Sequence, residues 1–171
     1  MRFESIIGWA ALAACVAGPA AMASPAAAGT ADVQFKQPAR FVDAGETAHE
    51  RDLNLRQLAD QLRALAAQHL PAGQSLQVEV LDVDLAGYLR HTERGDLRVV
   101  RGDRDSARIW LHYALVSDGR TLRSGDAALS DLSSRKTPGL GIDSSALGRE
   151  KALLANWFTQ EFGDTARAAA N

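Results

Sequence analysis

Asp82 and Asp84 are the residues whose type and spacing first suggest chemistry. They stand two apart in the run Leu76-Gln77-Val78-Glu79-Val80-Leu81-Asp82-Val83-Asp84-Leu85, so an extended backbone puts both carboxylates on one face. Two carboxylates held together could ligate a hard cation or share a proton. Asp131, beyond a later apolar run, is the candidate third donor. Calcium takes about six to eight oxygens, and neither a calcium-loop spacing nor a metal triad is completed here. The competing reading is structural: the pair accepts hydrogen bonds from a neighbouring loop, or is satisfied by Arg94, Arg98 or Arg101. That reading is the expectation, so no metal, catalytic or cofactor-binding residue is assigned, and no cofactor is implied.

The remaining candidates are weaker. His49, His69, His91 and His112 share no metal-ligand spacing. Ser130, Ser133 and Ser144 have no base at a meaningful distance along the chain, and neither a nucleophile elbow nor a phosphate loop is present. A triad assembled in space stays open, because its chain order is free. Arg94, Arg98, Arg101, Arg104 and Arg108 are interleaved with Glu93, Asp96, Asp103 and Asp105. They could grip a phosphate or an acidic partner. Mixed charge of this kind is more often a solvated loop with surface pairs.

The elements that must position these residues follow from periodicity. Leu76, Val78 and Val80 alternate with polar residues, then the phase slips to Leu81, Val83 and Leu85. A bulge near Val80-Leu81 would absorb the slip. This strand is expected at the centre of the sheet. A first strand is expected at residues 31–36, with Val33 and Phe35 inward, followed by a loop anchored by Phe41 and Val42. Leu55, Leu58, Leu62, Leu65 and His69 form a helical stripe that Leu53, Ala59 and Ala66 widen, which predicts a helix over 51–70, stopped by Pro71 and Gly73. Strand, helix, strand in this order predicts a crossover, with the first strand parallel to the central one.

Leu97 to Val100 predicts a short edge strand. Ile109, Leu111, Tyr113 and Leu115 alternate up to Asp118-Gly119, a two-residue hairpin signal. Leu115 is then expected opposite Leu122. A bulge at Ser124-Gly125 would keep Asp126 out of the core and pair Leu111 with Ala127 and Ile109 with Leu129. A second helix is expected from about Asp143 or Ser144, with Leu147, Lys151, Leu154, Trp157, Phe158 and Phe162 near one face and Gly163 at its end. The fold class is α+β: a two-layer sandwich with a mixed, mostly antiparallel sheet of four to five strands and two helices on one face, in the order β-α-β-β-β-α.

The chain has 171 residues, 46% apolar and 23% charged, which suits one domain with its own core. A net charge of −2 argues against nucleic-acid binding. The stretch from Ile6 to Gly18 is short for a membrane span, and Ala21-Met22-Ala23 fits signal-peptide cleavage after Ala23. A cut after Ala28 is one alternative. Another is lipidation of Cys15 within Leu12-Ala13-Ala14-Cys15, which resembles a lipobox and would anchor the protein to a membrane. The organisation expected is a signal peptide at 1–23, a linker at 24–30, one domain at 31–162 and a disordered tail at 163–171. Cys15 is the only cysteine, so the domain has no disulfide.

Pro71-Ala72-Gly73-Gln74, the Val80-to-Gly87 run, the Arg108-to-Leu115 strand, Leu122-Arg123-Ser124-Gly125 with Leu129-Ser130-Asp131, and Glu150-Lys151 with Leu154 and Trp157-Phe158 together resemble a family of exported proteobacterial proteins, domain of unknown function 3016. The resemblance covers the mature chain in order; residues 133–141 fit least well. It implies export to the envelope and one compact domain, and it supplies no activity. The functional expectation is a periplasmic, non-enzymatic protein that binds an envelope partner or a small ligand. The alternative is a metal-binding protein or hydrolase using Asp82, Asp84 and Asp131.

Overall fold

The structure, a computed structural model, describes residues 28–93, 95–99, 105–130 and 147–169. Strand β1 (Thr30–Phe35) leads through a short 3-10 turn (Pro38–Arg40) into helix α1 (Ala48–His69). Strands β2 (Gln74–Asp84), β3 (Tyr88–Thr92), β4 (Gly95–Val99), β5 (Arg108–Ser117) and β6 (Arg120–Ser130) follow, and helix α2 (Gly148–Ala169) comes last. The main sheet has the order β1-β2-β5-β6, with β1 parallel to β2 and the other neighbours antiparallel. The expected α+β class and the inner position of β2 are therefore both found. The stretch expected as an edge strand instead forms β4, which pairs with β3 in a separate two-stranded sheet.

The phase slip in β2 is a bulge. The β5 register skips Leu81, which is exposed, while Asp82 and Asp84 lie opposite Trp110 and Arg108. Leu76, Val78, Val80 and Val83 all stay buried, which is what the extra residue achieves. In the β5–β6 hairpin, Asp118 and Gly119 both have positive φ, the twist that matches two antiparallel strands. Leu111 pairs with Ala127 and Ile109 with Leu129, as expected, but the extra residue sits elsewhere. Leu115 faces Arg123, and Leu122 is the bulged residue, 55% exposed. The reason lies at Gly125, directly opposite Tyr113: a Cβ there would come within 3.3 Å of the Tyr113 hydroxyl. Glycine is needed for that close approach, not for a bulge.

Helix α1 begins three residues earlier than its apolar stripe suggested. Thr47 caps it by accepting from the Glu50 backbone N–H, and Glu50 reaches back to the N–H of Glu46, a variant of the capping box. Leu55, Leu58, Ala59, Leu62, Leu65 and Ala66 are buried, whereas Leu53 is exposed and does not extend the stripe. Phe41 packs edge-on against Phe35, but Val42 is 67% exposed and anchors nothing.

Gly163 does not stop α2, which runs on to Ala169. A glycine inside a helix costs only about 1 kcal/mol relative to alanine, too little to overcome the docking of Phe158 and Phe162 just before it. Asp143 and Ser144 lie outside the described residues. The two helices touch each other, and Lys151 donates from α2 to Gln57 on α1.

Candidate functional site

The exit of β2 gathers the residues that the sequence singles out. Asp82 Oδ1 accepts from the backbone N–H groups of Val42, at 2.9 Å, and Val83, at 2.8 Å. This ties the chain after β1 to the bulge. Asp84 shares a face with Asp82, because buried Val83 separates them. Burial raises the Asp84 carboxyl above its usual range; the Arg108 charge opposes this, Asp43 and Asp82 add to it, and Arg98 opposes it. Of the three arginines expected as possible partners for this pair, Arg98 goes elsewhere: it grips both oxygens of Asp43, at 2.9 and 3.2 Å, and also reaches the carbonyl of Ala86. Arg94, Arg101 and Asp131 lie outside the described residues. Among the described residues, no three His, Cys, Asp or Glu side chains are grouped where they could hold a metal ion.

The two aspartates should respond oppositely to substitution. Asp82→Ala leaves two N–H groups without their acceptor and is expected to cost about 1–3 kcal/mol. Asp84→Asn removes a charge whose ionisation opposes folding. A raised folded pKa means a contribution that is intact below the unfolded pKa and lost as pH rises through the folded one. Asp84→Asn should therefore raise the melting temperature at neutral pH, and the gain should vanish in acid. Thermal melts of both variants across that range check this, and a destabilised Asp84→Asn at neutral pH would contradict it.

A second site was not visible in the sequence. It is a cleft of about 320 Å³ between β6 and α2, lined on one side by Asp126, Ala127, Ala128, Leu129 and Ser130. Leu153, Asn156, Trp157, Gln160 and Glu161 line the other side, and Tyr113 forms the floor. The cleft exists because the helix-facing positions of β6 are small, at Gly125 and Ala127, opposite a helix that carries Trp157. The Tyr113 hydroxyl donates to Glu161 Oε1, which Arg123 Nε also contacts at 2.9 Å, and a second Arg123 nitrogen bonds the Glu161 carbonyl. Asn156 is only 8% exposed and lines this cleft, yet its amide makes no hydrogen bond with a described residue. Periodicity cannot reveal this, because Asn156 belongs to an apolar face without breaking it. His69, the histidine on the α1 stripe, packs against Phe158 instead.

Burial pushes the Tyr113 hydroxyl up to about 12, with the hydrogen bond and charge of Glu161 acting the same way and Arg123 against them. The neutral phenol is thus favoured in the folded chain. Its contribution to stability is intact below the unfolded value near 10 and is lost as pH rises through about 12. In a Tyr88→Phe background Tyr113 is the only tyrosine, so its tyrosinate absorbance should titrate near that raised value. Glu161→Gln should lower it; an unchanged titration would mean that Glu161 does not hold the phenol.

The family described as "Protein of unknown function (DUF3016)" matches residues 29–160. No curated protein matches the chain. Among solved structures, the chain is similar to a protein titled "putative lipoprotein" from Caulobacter crescentus CB15, at 19% identity and a TM-score of 0.35, over 81% of this chain and 91% of that one. Among the described residues, no helix is long and apolar enough to cross a membrane.

Proposed function

Because the chain belongs to the DUF3016 family, whose description carries no activity, its function must be read from its own side chains, and we propose an exported, envelope-associated domain that binds a ligand or partner in the cleft between β6 and α2 without catalysing a reaction. The observation that carries this reading is Asn156. Its amide lines the cleft and makes no hydrogen bond with a described residue, so its donor and its acceptor are both open to a ligand there. A concave site of this volume with a few convergent polar groups is where ligands usually bind.

The alternative, metal binding or hydrolysis at Asp82, Asp84 and Asp131, draws less support. Asp82 is committed to two backbone N–H groups, and burial raises the Asp84 carboxyl above its usual range. Export rests on the leader, cleaved after Ala23 to leave Ser24 first, with the lipidated Cys15 form as the membrane-anchored alternative.

The test compares capture from envelope extracts by the purified protein and by its Asn156→Leu variant. A partner held by the first and lost by the second supports the cleft. Equal retention by both moves binding elsewhere on the molecule, and capture of nothing removes the partner reading. Intact mass of the exported form decides between Ser24 and Cys15 as its first residue.

A further inference from the structure

We infer that the sheet carries a further binding site, for a neutral oligosaccharide, on the face turned away from the helices. It goes beyond the cleft between β6 and α2, whose floor residue Tyr113 belongs to the opposite face. Along β2, exposed Gln77 and half-buried Glu79 alternate with buried Leu76, Val78 and Val80. Along β5, His112 and Ala114 alternate with buried Leu111, Tyr113 and Leu115. The buried set meets the helices, as the ring contact of Tyr113 with Trp157 shows. The other set, with Asp32 and Gln34 of β1, surrounds a depression of about 350 Å³. Every residue lining it belongs to one of these three paired strands. The hollow is there because Ala114 ends in a methyl group, with longer side chains at Gln77 across the ladder and at His112 along the strand.

The first observation is the chemistry of the lining. Asp32 stands opposite Gln77, and Glu79 lies between Gln34 and His112, so flat polar groups form two rungs across the strands. Several are held from behind. Gln34 Nε2 donates to Asp32 Oδ2 at 3.4 Å, Lys36 Nζ contacts Glu79 Oε1 at 3.0 Å, and His112 Nδ1 lies 2.7 Å from Asp126 Oδ1. A carboxylate only accepts, so Nδ1 donates and Nε2 remains for another partner. Among the described residues, Asp32 Oδ1, His112 Nε2 and both ends of the Gln77 amide have no hydrogen-bond partner. The groups are thus oriented and still open. Sugar hydroxyls both donate and accept, which is what this mixture of amide, carboxylate and imidazole can answer.

The second observation is the balance of charge. Lys36 offsets Glu79 and His112 is bonded to Asp126, which leaves Asp32 as the lining carboxylate without an ion pair among the described residues. One solvated carboxylate holds a cation weakly. As a charge-assisted acceptor it serves a hydroxyl well, so the lining suits a ligand that brings no charge of its own. The third observation is Trp110, 37% exposed on the same face and opposite the small Ala128. It stands two residues from His112, about 7 Å along β5. A sugar ring has an apolar C–H face and a polar rim, and an indole in water beside polar groups offers that face a stacking surface. The separation puts the indole beyond the depression, so the ligand is a chain of sugars, not a single one.

The test follows the side-chain amides and indole N–H groups of the isotope-labelled, purified protein by nuclear magnetic resonance. The probes are the tetrasaccharides of β-1,4-linked glucose, α-1,4-linked glucose and β-1,4-linked N-acetylglucosamine, with butylamine and inorganic phosphate as charged comparisons. The expected result is that at least one tetrasaccharide shifts the Gln77 amide and the Trp110 indole N–H together and saturably. Gln77→Ala and Trp110→Ala should each weaken that binding at least about tenfold. Raising the salt should leave it nearly unchanged, because no charge on the ligand is screened.

If no tetrasaccharide moves both signals, the inference is overturned. Shifts at Gln77 with butylamine or phosphate alone would overturn it too, since the ligand would then be charged. A tetrasaccharide that moves the Asn156 amide and leaves Gln77 still would place the sugar in the cleft between β6 and α2, which overturns this site and supports that one. Conversely, silence at Asn156 with shifts at Gln77 and Trp110 supports this site whatever the cleft binds. The titrations of the unaltered protein decide these outcomes, so they stand even if Trp110→Ala perturbs folding.

Discussion

Phe158→Ala is expected to destabilise the domain by about 3–5 kcal/mol, the range for removing a fully buried aromatic ring. Phe158 has no exposed surface and sits where four aromatic side chains and both helices meet. Its ring lies 4.9 Å from Phe162, 5.8 Å from His69 and 6.1 Å from Trp157, centroid to centroid. Truncation loses the transfer energy of the ring and leaves a void that two helices and a sheet cannot close without moving together. Phe158→Leu retains most of the volume and should cost distinctly less. Urea unfolding followed by far-ultraviolet circular dichroism measures both. The midpoint should fall with little change in slope, because the surface exposed on unfolding hardly changes. A loss below about 1 kcal/mol for the alanine variant would mean that the α1–α2 seam is not packed around this ring.

The features that were legible in the sequence are those set by a regular period. Leu55, Leu58, Leu62 and Leu65 on α1, and Ile109, Leu111, Tyr113 and Leu115 on β5, repeat with their element and are buried in that pattern. The slip at Leu81 was legible because both phases around it are apolar. The position of the β6 bulge was not, since local rules allow the extra residue at Leu122 or at Gly125. What decides between them is the Tyr113 hydroxyl, which needs an open position opposite it on the next strand. The sequence suggests a bulge at Gly125 and only a strand partner for Leu111 at Ala127, whereas Ala127 and Ala128 also wall a cleft.

The site residues show the same limit. Asp82 and Asp84 drew attention because they are neighbours in sequence, yet one is a hydrogen-bond acceptor for backbone and the other a desolvated acid. The groups that do converge, Tyr113, Arg123, Asn156 and Glu161, come from β5, β6 and α2. Their association depends on how α2 crosses the sheet, and no spacing along the chain encodes that.

Glu150→Ala should be the second large loss, about 3 kcal/mol or more, although a glutamate in the first turn of a helix usually reads as a solvated partner for the helix dipole. Here Glu150 is 2% exposed, and its Oε1 accepts from the Ala86 N–H at 2.7 Å. Ala86 is itself buried just beyond β2, with its carbonyl held by Arg98. The carboxylate therefore fastens the start of α2 to the β2 exit, across 64 residues of chain. Alanine would leave the Ala86 N–H buried without that acceptor, and it would open a void where the side chain lay. Glu150→Gln keeps the shape and an acceptor oxygen but loses the charge, which roughly doubles the strength of such a bond. Its loss should be about half that of alanine, because part of the bond survives. Denaturation midpoints rank the two variants, and hydrogen exchange at the Ala86 amide tests the cause: protection should persist with glutamine and collapse with alanine. If alanine and glutamine are equally destabilising and both leave the amide protected, the penalty belongs to the lost charge, and the bond to Ala86 is not what holds α2 to the sheet.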